Sequence, residues 1–188
     1  MLIDPTRDLT APQPWGFRGP TLTIGKQRDL FRRWTSRDDV HPHEAFVGLA
    51  ALLHGATTRE LQHLTDTAID HNHQQIQFGT RPHPTPLDPS TWTALNRCLD
   101  HRNTMHSTNP HVLITMQTKA THAPPSDTYI KRTLRAVDIQ PRILRSTRLL
   151  DLVATNAPKL VASTYGMTND AITAYLADAT DTGRLPNP

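Results

Sequence analysis

Apolar residues in this chain recur mostly at helical spacing and only rarely in alternation. In TIGKQRDLFRRWTS (23–36), Leu30, Phe31 and Trp34 share one side, which predicts a short amphipathic helix. HPHEAFVGLAALLHG (41–55) is apolar on every side, so it predicts a buried helix, opened near Pro42 and stopped at Gly55. TTRELQHLT (57–65) predicts a second, short helix, with Thr57 or Thr58 as N-cap and Glu60 where a negative charge suits the N-terminal dipole.

The pattern then changes. QQIQFG (74–79) and HPTPLD (83–88) predict two short strands around the turn GTRP, the second at a sheet edge because its prolines cannot donate to a ladder. PSTWTALNRCLDHR (89–102) predicts a helix opened by Ser90 or Thr91, and HVLIT (111–115) a strand or extended segment. SDTYIKRTLRAVD (126–138) predicts an amphipathic helix with Tyr129, Ile130, Leu134 and Val137 inward. Three more helices follow in LRSTRLLDLVAT, PKLVASTYG and NDAITAYLAD, broken by Pro158 and Gly166. The expected class is α+β, mostly helical, with a small antiparallel sheet. The expected organisation is an irregular, proline-bearing arm over 1–22, one domain over 23–180 and a tail over 181–188.

Composition narrows the chemistry. No apolar run approaches the roughly 20 residues needed to span a bilayer, and the N-terminus lacks a secretory pattern, so no membrane partner and a cytoplasmic location are expected. Cys98 is the only cysteine, which rules out an intramolecular disulfide and leaves no cysteine-based zinc set. Eleven histidines raise the question of a metal. The pairs His41/His43 and His71/His73 lack a carboxylate or cysteine partner at a recognisable spacing, so they are read as solvated loop histidines and no metal is expected. No G-x-S-x-G and no glycine-rich phosphate loop occurs. Arginine outnumbers lysine sixteen to four, and Arg142, Arg145 and Arg148 stand at i, i+3, i+6. The planar guanidinium fork suits phosphate oxygens better than a point charge does.

The order of these elements resembles the catalytic domain of tyrosine recombinases (phage integrases) over about residues 25–180, and in particular divergent integrase-like proteins of actinobacteria. The residues that carry the resemblance are GATTREL (55–61), the proline-rich hairpin, LRSTRLLDLV (144–153) and YGMTNDAITAYL (165–176). The resemblance implies strand cleavage by a tyrosine hydroxyl without metal or nucleotide cofactor. Two arginines clamp the phosphate oxygens and a lysine in the hairpin turn protonates the leaving oxygen. By that match Tyr175 stands at the nucleophile and Arg145 at the second arginine, and Leu144 and Thr147 fit the box around Arg145.

Other positions depart from the pattern. The slot for the first arginine in G-x-R-x-x-E-L holds Thr57, and Arg59 lies two residues on, roughly 200° around a helix. Arg142 replaces a histidine, and Met167 replaces the histidine after Gly166. The hairpin turn offers Thr80 and Arg81 in place of lysine, and arginine is a poor general acid at neutral pH. The gap from Met167 to Tyr175 is one residue short. The resemblance therefore implies a degenerate recombinase domain without the family's N-terminal core-binding domain, binding double-stranded DNA with little or no cleavage. Arg142, Arg145, Arg148, Arg81, Lys131 and Arg132 are the expected DNA contacts. Two alternatives stay open: an active recombinase using Tyr175, and an adaptor whose tail docks on another copy or on an intact recombinase.

Overall fold

The computed structural model describes residues 19–168 and 170–175. The arm assigned to 1–22 and the tail assigned to 181–188 lie almost wholly outside these. Only residues 19–22 of the arm are described, and there the Leu22 N–H donates to Thr147 Oγ1 at 3.0 Å.

The elements follow in the order α1 (Ile24–Ser36), α2 (Pro42–His54), α3 (Thr58–Gln62), β1 (Ile69–Asp70), β2 (Gln75–Ile76), β3 (Thr85–Pro86), α4 (Pro89–Thr104), α5 (Asp127–Thr133), α6 (Pro141–Thr155) and α7 (Pro158–Tyr165). Residues 170–175 are again helical. Helix α2 is the axis, packing against α1, α4, α5 and α6. Its lack of a polar face is explained by that position: Ala45, Phe46, Val47, Leu49, Ala50 and Ala51 are all fully buried. Gly48 lets α1 approach, since a Cβ there would stand 2.5 Å from the Trp34 ring. Arg33 and Trp34 fasten the same contact by donating to Glu44 at 2.8 and 3.2 Å.

The sheet has three antiparallel strands in the order β1-β2-β3, one more than the alternation predicts. β1 escapes sequence reading because it is two residues long and half polar. The turn that joins it to β2 contains His71 and His73. Asp70 Oδ1 accepts from the Asn72 and His73 N–H groups, and Asp70 Oδ2 holds His73 Nδ1 at 2.6 Å, so this pair is an exposed turn, as expected. HVLIT forms no strand: it bends at Val112 and Leu113 and joins the fold by one isolated bridge between His111 and Thr65, while Val112, Leu113 and Ile114 are buried.

In the other histidine pair His41 is exposed, as expected, but His43 requires a correction. His41 is the N-cap of α2, its Nδ1 accepting the His43 N–H at 3.1 Å. His43 is fully buried, with Nδ1 2.7 Å from the Tyr129 hydroxyl and Nε2 without a partner. The rings of His41, His43 and His101 stand 4.8–5.2 Å apart in pairs. Burial, reinforced by the other two imidazoles, pushes His43 down to about 3. His43 is thus a packed, neutral ring, and among the described residues no group of three ligating side chains is arranged to hold a metal. Nor is any helix there long and apolar enough to cross a membrane.

A second, smaller core lies at the C-terminal end, where Leu149, Val153, Val161, Ala162 and Ile172 cluster. Tyr165, Met167 and Tyr175 pack against it.

Candidate functional site

Three chain reversals build one cleft. Gly55 ends α2 in the left-handed region (φ 57°), which permits the sharp entry into α3. Thr57 then caps α3 in a reciprocal capping box: its Oγ1 accepts the Glu60 N–H at 3.1 Å, and Glu60 Oε2 accepts the Thr57 N–H at 2.7 Å. The turn after Phe78 brings in Gly79, Thr80 and Arg81, and the left-handed Gly166 ends α7 beside it. The cleft between them has a volume of about 650 Å³, and Arg59, Glu60, His63, Arg81, Arg145 and Tyr165 are among its lining residues.

Its electrostatics rest on one acid and three guanidinium groups. Arg81 is turned inward, its side chain 2% exposed. Arg81 Nε donates to Glu60 Oε1 at 2.6 Å and Nη2 to Glu60 Oε2 at 2.9 Å. Its Nη1 and Nη2 also close the end of α2, donating to the carbonyls of His54 and Gly55 at 3.1 and 3.2 Å. Phe78 and Tyr165 sandwich the same guanidinium, each ring centre 4.8 Å from Cζ. Burial raises the Glu60 carboxyl, but the Arg81 hydrogen bonds and charge, helped by Thr57, outweigh it and hold the group below its ordinary value. Arg145 also reaches the Gly55 carbonyl, through Nη1. Burial lowers Arg145 from its ordinary value, against the pull of Glu60.

The structure brings some of the sequence-derived residues together and separates others. Arg145 lines the cleft, and Arg142 stands exposed one helical turn before it on α6. Tyr175 lies outside the cleft lining, packed on the C-terminal cluster, yet its phenol is near enough to act electrostatically on Arg145. Arg148 is half-buried and its Nε has no hydrogen-bond partner. Lys131 and Arg132 lie on α5, away from this cleft. Lys131 pairs with Asp127, and Arg132 lines a separate cavity beside His41 and Tyr129. Met167 turns into the C-terminal cluster.

Sequence reasoning set Arg59 aside as two residues beyond the family slot, and it passed over His63 and Tyr165, yet all three line the cleft. The available signal for the first two was their i, i+4 spacing, which places both on one face of the turn that α3 opens. Tyr165 gave only a helix end. Its role becomes visible through Gly55, where a Cβ would meet the Tyr165 ring at 3.0 Å.

No protein-family profile and no curated protein matches the chain. Solved structures do. The chain is similar to XerA recombinase, at 16% identity and a TM-score of 0.68, with 90% of this chain and 67% of that one covered. It is similar to the Tn1549 transposon integrase in complex with transposon right end DNA, at 16% identity and a TM-score of 0.64, covering 95% and 68%. It also resembles XerH site-specific recombinase bound to difH substrate, at 12% identity and a TM-score of 0.64, covering 88% of this chain and 52% of that one. The fold is therefore that of a tyrosine-recombinase catalytic domain: mostly helical, with a small three-stranded antiparallel sheet.

Proposed function

We propose that this chain binds double-stranded DNA through the cleft and the adjoining arginine face of α6, and that it cleaves strands slowly or not at all. The observation that carries the reading is the charge count of the cleft. Arg59, Arg81 and Arg145 face a single described carboxylate, Glu60, and that carboxylate is fully engaged by Arg81. What remains is a concave, net-positive surface with Arg142 exposed at its edge, suited to a phosphodiester backbone. The structural neighbours that hold DNA support the same use of the fold.

Weak cleavage follows from what the cleft lacks. Position 57 holds a hydroxyl occupied in a capping box, where the family pattern puts a guanidinium. The Met167 side chain has no donor, and the hairpin turn presents no lysine. Removing one preorganised donor costs on the order of 10²–10³ in rate, and such losses within one unit are not additive. The proximity of the Tyr175 phenol to Arg145 favours the second reading, an active recombinase. The adaptor reading rests on the tail, which lies outside the described residues.

The test is binding of a fluorescent duplex at low salt by the wild type and by Arg142→Ala/Arg145→Ala. Loss of affinity in the double variant toward every duplex alike supports the reading; unchanged affinity sinks it.

A further inference from the structure

Thr57 Oγ1 and Arg81 Nη2 both donate to the same oxygen, Glu60 Oε2, each at 2.9 Å. The two donors come from opposite sides of the cleft, one from the cap of α3 and one from the hairpin turn. Arg81 therefore ends beside the side chain of position 57, the slot that the tyrosine-recombinase pattern fills with arginine. Around it are the Gly55 and His54 carbonyls and the Tyr165 ring.

We propose that Arg81 is a positioning residue: from the hairpin it neutralises the Glu60 carboxylate beside position 57, where the tyrosine-recombinase pattern has an arginine, and so keeps the cleft competent to hold a phosphate. This rests on the DNA-binding reading above. A largely buried carboxylate left without its partner is strongly destabilising. In this cleft it would also face the incoming phosphate with like charge. Arg81 removes that charge, and it shares the Gly55 carbonyl with Arg145, which fixes where Arg145 stands. Arg81 does not itself grip the phosphate. Its side chain is 2% exposed, and four of its five N–H groups are already spent on Glu60, Gly55 and His54.

A charge restored at either position should serve, and charges at both should conflict. That gives a double-mutant cycle between two sites 24 residues apart in sequence. Arg81→Met is expected to weaken duplex binding at least about tenfold while leaving the salt slope unchanged, because no phosphate contact is lost. Adding Thr57→Arg to Arg81→Met should recover most of the affinity and raise the urea midpoint. Adding Thr57→Arg to the wild type should lower the midpoint by more than Thr57→Met does, since both lose the cap but only arginine brings a second guanidinium to one carboxylate. In the Arg81→Met background Thr57→Met, unbranched like arginine but shorter and uncharged, should recover nothing.

If Arg81→Met does not fold alone, folding of the Thr57→Arg/Arg81→Met protein is itself the rescue. A double variant no better than Arg81→Met, or a rescue equalled by Thr57→Met, overturns the proposal. A salt slope lowered by about one in Arg81→Met overturns it too, because Arg81 would then be a phosphate contact. If the wild type binds no DNA, the DNA reading fails, while the opposite signs of Thr57→Arg in the two backgrounds still decide whether Arg81 neutralises Glu60.

Discussion

Arg145 on α6 donates through Nη1 to the carbonyl of Gly55, ninety residues earlier in the chain. The contact ties the left-handed end of α2 to the second turn of α6, and it holds the guanidinium at the cleft. Arg145→Lys keeps the charge but loses the planar fork. The expected result is weaker duplex binding, though weakened less than by Arg145→Ala, measured side by side at one salt concentration.

Gly55 should tolerate no side chain. A left-handed φ of 57° costs a non-glycine residue about 1 kcal/mol, and the Cβ would press on Tyr165 at 3.0 Å. Gly55→Ala is expected to destabilise the fold by about 2 kcal/mol, read as a lower urea midpoint with an unchanged slope. Tyr165→Ala should reduce the penalty in the double variant by relieving the contact. An additive result would place the cost in the backbone alone.

Acid should weaken the fold through His43. His43 takes up a proton at about 3 when folded, against 6.5 as its ordinary value. Between those values the unfolded chain holds the extra proton, so stability falls as pH falls, by up to about tenfold in the unfolding equilibrium per pH unit for that group. His41 and His111 are also pushed down, by burial first, and add in the same direction. The carboxylates held low, Glu60 and Asp88 among them, act only further into acid. Unfolding midpoints between pH 6.5 and 5 therefore isolate the imidazoles. His43→Gln, which does not titrate, should flatten the slope; an unchanged slope would remove His43 from the account.

Strand cleavage is expected to be absent or very slow. Duplexes nicked beside a trial phosphate trap a covalent intermediate even when turnover is slow. The expected result is no adduct on a denaturing gel. An adduct that vanishes in Tyr175→Phe would instead establish the active-recombinase reading.

The fold was legible where burial writes a period into the sequence. The all-apolar α2 and the Gly55 stop could be read directly, as could the proline-opened α4. The additional strand, β1, could not, because no strand-like run flanks its two residues, and its pairing with β2 is made through the Asp70 turn. The site was legible at Arg145, where a helix carries the pattern. It was not legible at Arg81: its turn location gave no sign that the side chain would fold inward onto Glu60, 21 residues earlier. His43 was misread for a related reason. An imidazole beside a proline in a loop-like stretch looks solvated until α4 and α5 close over it.

The most direct test of the central claim is the affinity for two unrelated duplexes across a range of salt. Binding to both is expected at low salt, with log affinity falling linearly in log salt by about 0.9 per phosphate contacted. The two sequences should give similar slopes, and Arg142→Ala a flatter one. No binding at low salt, or binding that salt does not weaken, would contradict the claim.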